Sequence, residues 1–213
     1  MTPDPHRDQP VLQAGKPLAE AKGAVILLHG RGASAEDILG LGDAFEHPGL
    51  AYLAPGAAGH SWYPYSFLAP FEKNEPWLSS ALKKIAATVE HVMEVGIPRE
   101  KIVIAGFSQG ACLATEFTAR HGVGLGGLIA FTGGLIGPPE TKFSYPGSLA
   151  QMPAFLGTGD PDPHVPWERV EESAAVLRSL GAGVTLRRYP GLPHTISQNE
   201  IDEAKKLIAA VIR

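Results

Sequence analysis

One stretch constrains the fold more than any other. From Lys101 to Thr115 the chain reads KIVIAGFSQGACLAT, an apolar β-branched segment running directly into Gly106-Phe107-Ser108-Gln109-Gly110. A GxSxG motif with a strand before it and a helix after it reads as a sharp strand-to-helix turn, with the serine hydroxyl exposed at the top of a sheet. The strand is expected to end at about Ala105. Such a turn strains the backbone at the serine and leaves no space for a Cβ two residues to either side, a steric reason for glycine at 106 and 110. Ala111, Cys112 and Ala114 are small enough to let the following helix press against the strand.

The remaining segments supply the sheet that this turn requires. Ala24 to Leu28 is a continuous apolar run stopping at His29-Gly30-Arg31-Gly32, the pattern of a strand buried on both faces. Further strands are predicted at Leu50–Ala54, Gly127–Phe131, Pro153–Gly157 and Val184–Tyr189. Helices are predicted between them. Ser34 with Asp37, and Ser197 with Glu200, have the spacing of capping boxes, opening one helix through about Phe45 and another at the C-terminal end. From Trp77 to Met93, Leu78, Leu82, Ile85, Val89 and Val92 recur at helical spacing, and Pro166 to Leu180 reads as helix stopped by Gly181. This alternation argues for an α/β fold: a mainly parallel central sheet with helices on both faces. Residues 1–22, rich in proline and polar side chains, read as a loose arm with one edge strand near Val11, and residues 23–213 as a single domain.

Composition narrows the function classes. With 213 residues and 44% hydrophobic content the chain supports one substantial core. A formal charge of −4, with no basic run beyond pairs such as Lys83-Lys84, argues against a nucleic-acid partner. No segment approaches the ~20 apolar residues of a membrane span, and the first ten residues lack the apolar core of a signal peptide. One cysteine cannot form an internal disulfide, which fits a reducing compartment; the expected location is cytoplasmic.

In a parallel sheet ligands bind beyond the carboxyl ends of the strands. Three such places carry matched chemistry: Ser108, the segment Asp160-Pro161-Asp162-Pro163, and His194. Serine is a poor nucleophile until a base takes its proton, so His194 is the expected general base and an aspartate its orienting partner. The backbone N–H groups of Gln109 and Arg31, after the nucleophile and after the first long strand, are the expected oxyanion donors. Neither side chain is needed for that role. No metal or organic cofactor is called for.

These residues carry a resemblance. LLHGRGASAEDI at 27–38, GFSQG at 106–110, GDPDPHVP at 159–166 and YPGLPHTIS at 189–197 together resemble the phospholipase/carboxylesterase family of α/β-hydrolases, which includes the acyl-protein thioesterases. The resemblance runs from about residue 22 to the C-terminus and implies the α/β-hydrolase fold. Its acid lies in a DPxVP frame, which here is Asp162-Pro163-His164-Val165-Pro166 and selects Asp162 over Asp160. Arg31 within HGRG, and the aromatic stretch below, depart from the thioesterase branch and are more similar to the bacterial carboxylesterases. The implied activity is hydrolysis of short- to medium-chain carboxylic esters through an acyl-enzyme. The same triad on thioesters or lysophospholipids is the main alternative, and a noncatalytic ligand-binding homologue the remaining one. A dienelactone-hydrolase-like activity is disfavoured, because that site uses cysteine where this chain has Ser108. The partner is a small ester, and the chain a monomer or homodimer.

Other residues stand open. Trp62, Tyr63, Tyr65, Phe67 and Phe71 fall within ten positions. They read either as an apolar wall of the substrate pocket, with Trp62 and Phe67 as the contacts, or as a loop pinned to the core by its aromatics. Arg31 reads either as a receptor for a substrate carboxylate or as an ion-pair partner of Glu36 or Asp37. His29 reads as a structural hydrogen-bonding residue, and Cys112 as a small buried one. His6 has no evident partner. Asp160, Asp162 and His164 are a poor metal set, since two prolines separate them and no matching ligands stand elsewhere.

Overall fold

A computed structural model describes residues 3–213. Among the described residues seven strands form one sheet: β1 (Val11–Gly15), β2 (Gly23–Leu28), β3 (Leu50–Pro55), β4 (Ile102–Phe107), β5 (Gly127–Phe131), β6 (Pro153–Asp160) and β7 (Gly183–Pro190). Their spatial order is β1-β3-β2-β4-β5-β6-β7, and only β1, at the edge, runs antiparallel. Helices α1 (Ala35–Phe45), α2 (Phe71–Asn74), α3 (Trp77–Glu94), α4 (Gln109–His121), α5 (Trp167–Ser179) and α6 (Gln198–Val211) connect and cover it. The fold is that of an α/β-hydrolase.

Strand periodicity divides the core into two layers. Ala24, Ile26, Leu28, Ile102 and Ile104 face α3, α4 and α5, whereas Val25, Leu27, Val103 and Ala105 face α1 and α6. Every residue of β2 and β3 is buried. Such strands lack the polar-out alternation of a one-sided sheet, which is why they read as continuous apolar runs. Both capping boxes form: Ser34 Oγ accepts from Asp37 N and Ser197 Oγ from Glu200 N, while each acid accepts from its cap residue's N–H.

Two expectations need correction. Strand β4 extends through Phe107, two residues past the expected end, because Phe107 pairs with Phe131 of β5. The arm is not loose. β1 forms where an edge strand was expected, but the residues before it are clamped onto α3: His6 is fully buried, its N–H donates to Ser80 Oγ at 2.9 Å, and Lys84 Nζ donates to Arg7 O at 3.3 Å. Asp4, which accepts from the Ser80 hydroxyl, adds a further tie.

Candidate active site

The site is built at the end of β4. Ser108 sits at φ 55° and ψ −118°, between β4 and α4, and its N–H donates to Phe131 O at 3.0 Å. The turn tolerates only glycine around it. A Cβ on Gly106 would lie 2.4 Å from Gly110 O, and one on Gly110 would lie 2.0 Å from Leu28 O, both far inside contact distance. Backbone strain of this kind typically costs about 1–3 kcal/mol and persists because its surroundings fix it.

Strands β6 and β7 deliver the other two groups. His194 Nε2 lies 2.9 Å from Ser108 Oγ, and His194 Nδ1 lies 2.7 Å from Asp162 Oδ2. Asp162 Oδ1 accepts from the N–H groups of His164 and Val165, each at 2.9 Å. Burial alone would raise this carboxyl. The hydrogen bonds from His164, His194 and Val165 outweigh it and hold Asp162 below the ordinary carboxylate value. An ionised Asp162 requires the proton on Nδ1, so Nε2 presents its lone pair to the Ser108 hydroxyl. Asp160, the alternative acid, is paired with Arg188 instead, whose Nε donates to Asp160 Oδ2 at 2.7 Å. Among the described residues no cluster of three His, Cys, Asp or Glu is placed to hold a metal ion.

The His194 ring is held from two sides. Phe107 lies against it at 5.0 Å between centroids, and His164 meets it edge-on at 4.8 Å. Neither contact was evident in the sequence, because both depend on how the β4, β6 and β7 ends converge. Gln109 N, as the first residue of α4, has no partner within its helix, and Arg31 N makes no hydrogen bond among the described residues. Both residues line the cleft that contains Ser108. An oxygen placed between two such donors would find its charge met without rearrangement.

That cleft has a volume of about 670 Å³. One wall comes from the loops after β2 and β3, with Arg31 and residues 63–67; the facing wall comes from the loops after β6 and β7, with His164, Val165 and His194. Phe67 lines it as expected. Trp62 does not: it is fully buried, its Nε1 donates to His29 O at 2.9 Å, and it packs between His6 and His29 at 5.4 and 5.0 Å. The indole N–H needs an acceptor and finds it beneath the loop, away from the cleft. Both readings of the aromatic stretch therefore hold for different residues, with Trp62 and the buried Tyr63 ring the pins and Tyr65 and Phe67 the wall.

Two histidines and a glutamine fasten this wall. His29 Nε2 accepts from Ala57 N at 3.1 Å while its Nδ1 donates to Gly30 O at 2.8 Å; His6 Nδ1 accepts from Ala58 N at 3.0 Å while its Nε2 donates to Trp62 O at 2.9 Å. Each ring must be neutral to accept at one nitrogen, and burial holds both below the ordinary imidazole value. The Gln109 side chain accepts from Trp62 N at 3.0 Å and donates to Tyr63 O at 2.8 Å. The sequence showed no need for that side chain, since its partners lie more than forty residues away. Arg31 pairs with neither Glu36 nor Asp37; it donates to Ser61 Oγ at 2.9 Å, Pro64 O at 3.0 Å and Tyr65 O at 2.7 Å. Cys112 is buried, and burial pushes its thiol up to about 12.

A family model described as phospholipase/carboxylesterase matches residues 10–212. The crystal structure of a phospholipase/carboxylesterase from Dyadobacter fermentans is similar, with 46% sequence identity and a TM-score of 0.91 over 95% of this chain and 97% of that one. Acyl-protein thioesterase 1 homolog 1 of Dictyostelium discoideum is 34% identical over 155 residues, covering 71% of this chain and 68% of that protein. Acyl-protein thioesterase 1 of Candida albicans is 27% identical over 220 residues, covering 91% and 94%. No helix among the described residues is long and apolar enough to cross a membrane. With a family match spanning nearly the whole chain, this protein belongs to the phospholipase/carboxylesterase family and is a hydrolase of the serine type.

Proposed function

We propose that the protein hydrolyses short- to medium-chain carboxylic esters, with Ser108 as nucleophile, His194 as general base and acid, and Asp162 as the orienting group. The observation that carries this reading is the unbroken relay from Ser108 Oγ through His194 to an anionic Asp162, opening on a cleft walled by residues 63–67. Ser108 Oγ attacks the ester carbonyl while His194 Nε2 takes its proton, and the N–H groups of Arg31 and Gln109 receive the developing oxyanion. The tetrahedral species then expels the alcohol oxygen, which takes the proton from His194 and leaves the acyl group on Ser108. Water, deprotonated by the same imidazole, attacks the acyl-enzyme and frees the acid and the serine. Asp162 stays ionised throughout and stabilises the imidazolium.

Thioester hydrolysis is the second reading, favoured by the similarity to acyl-protein thioesterases. The two are separated by kcat/KM on matched oxygen esters and thioesters of increasing acyl length, with Ser108→Ala as the blank. Ser108-dependent rates that peak at short to medium acyl chains and favour oxygen esters are expected. A peak at long chains with thioesters preferred would replace the first reading with the second. A cytoplasmic location belongs to the same proposal and is supported by the single buried cysteine.

A further inference from the structure

The cleft presents a cation although the protein's formal charge is −4. Its lining contains Arg31, His164 and His194 but no Asp or Glu, and the side chain of Asp162 is fully covered behind His194. Asp37 borders a separate, smaller cleft on the other side of Gly30, Ala33 and Phe107, where its carboxylate accepts from Ser34 N and Oγ. Among the described residues Arg31 is thus the sole formal charge on its wall of the main cleft.

Its guanidinium is also held in a fixed orientation. Three of its N–H groups donate to Ser61 Oγ, Pro64 O and Tyr65 O, all neutral acceptors, and its Cζ lies 5.8 Å from the Tyr63 ring centroid. A guanidinium has five N–H donors, so Nε–H and one N–H on Nη2 remain, and among the described residues Arg31 forms no ion pair. An arginine fixed by neutral groups keeps its charge unspent and loses little side-chain entropy when it binds an anion.

Topology says which part of a substrate would meet it. The leaving oxygen must take its proton from His194, on the wall built by the β6 and β7 loops. With the carbonyl oxygen at the N–H groups of Arg31 and Gln109, the acyl arm has room along the opposite wall, built by the β2 and β3 loops, where Arg31 stands beside Pro64 and Tyr65.

We propose that the preferred substrates are esters whose acyl arm ends in a carboxylate, the half-esters of dicarboxylic acids, with the Arg31 side chain as the carboxylate receptor. This rests on the serine-esterase reading above. The apolar faces of Tyr65 and Phe67 would cover the methylenes between the two carbonyl carbons, and Asp37 in the neighbouring cleft would repel an acid directed there.

Ethyl pentanoate and monoethyl glutarate differ only in a terminal methyl against a carboxylate, and monoethyl adipate extends the arm by one carbon. Their hydrolysis by the wild-type protein, Arg31→Gln, Arg31→Lys and the Ser108→Ala blank is followed by proton release at low and high salt. A charge-assisted contact of this kind predicts a half-ester preference in kcat/KM of about tenfold in the wild type. The preference shrinks with added salt and disappears in Arg31→Gln, whatever happens to the absolute rates. Glutarate should inhibit wild-type hydrolysis of ethyl pentanoate more strongly than pentanoate does, a test independent of any variant's folding. Ser108-dependent turnover with no half-ester preference, or a preference that survives in Arg31→Gln, overturns the carboxylate proposal and leaves the esterase reading standing. Hydrolysis of both esters that is undiminished in Ser108→Ala removes the reading on which the proposal rests.

Discussion

Two loops of similar length leave the carboxyl end of the sheet, residues 56–76 after β3 and residues 132–152 after β5, and they are fastened by a different balance of neutral and charged groups. The first is held mainly by neutral groups, His6, His29, Trp62, Gln109 and Asn74, which accepts from Tyr65 N and donates to Ser66 O, together with the cation Arg31, which donates to Ser61 Oγ, Pro64 O and Tyr65 O. The second is held by buried ions. Glu116 accepts from Ile136 N at 3.1 Å, from Tyr145 OH at 3.0 Å and from Arg120 Nε at 2.6 Å, and Arg169 donates to Leu135 O, Gly137 O and Pro138 O. Residues 63–67 of the first loop line the cleft, whereas none of the second does. They meet where Gly137 N donates to Phe67 O.

The difference separates positioning from anchorage. Charge-assisted hydrogen bonds are stronger than neutral ones, and a segment that need only be held gains from them. On a cleft wall that meets substrate each fixed charge matters, because every ion beside it alters the field at the reacting carbon. Neutral pins leave Arg31 as the one deliberate charge on that wall. They also make the wall sensitive to acid, since a histidine that must accept a hydrogen bond fails once protonated.

The sharpest way to break this contrast is to remove one pin from each loop. Trp62→Ala should lower unfolding stability by about 3–5 kcal/mol, the usual cost of emptying a buried aromatic site. It should also lower kcat/KM by about tenfold or more, because residues 63–67 lose their register against Ser108. Glu116→Gln should cost about 1–3 kcal/mol through weakened hydrogen bonds, with kcat/KM of the folded protein unchanged. Urea unfolding and steady-state kinetics on the same preparations test both. Equal loss of activity in the two variants would erase the distinction.

Acid provides the next test. His6 and His29 are held below the ordinary imidazole value of 6.5, so the unfolded chain binds more protons than the folded one as pH falls through that value. Stability from their neutral forms is therefore complete above 6.5 and declines below it, each histidine contributing a slope of up to about 1.4 kcal/mol per pH unit. Asp162 is also held low, so its contribution is lost only below its ordinary value of 3.8, a separate window. The second loop contains no histidine. Unfolding midpoints between pH 8 and 5 should fall in the wild type and fall less steeply in His6→Gln; parallel curves would exclude His6 as an acid-sensitive pin. The smallest expected effect is at Cys112. A buried thiol raised to about 12 should resist disulfide reagents at pH 8 until the protein unfolds, so prompt labelling of the native protein would show that the cleft floor opens.

Much of this was legible in the residues, and the reasons differ by element. Continuous apolar runs marked β2 and β3 because both faces of the sheet are covered, and Ser34 and Ser197 marked their helices because a capping box is local chemistry. Ser108 and His194 were legible from motif and strand position, whereas the residues alone left Asp160 and Asp162 open and the family resemblance, through its DPxVP frame, selected Asp162. What escaped was tertiary. His6 lies 56 positions from Trp62, its main partner, so nothing local distinguished it from a solvated histidine. Trp62 and Phe67 look alike in sequence, yet the indole N–H turned one inward to His29 O while the other stayed at the cleft. Arg31 offered two partners by spacing and took neither, donating instead to the carbonyls of a loop thirty residues on.

Everything proposed for this cleft depends on Ser108 being the nucleophile and His194 its activating base. That assignment is met most directly by treating the protein with a fluorophosphonate and mapping the adduct by peptide mass. One equivalent on the peptide carrying Ser108 is predicted, absent in Ser108→Ala and strongly slowed in His194→Ala. An adduct on another residue, or ester hydrolysis that continues undiminished in Ser108→Ala, would contradict it.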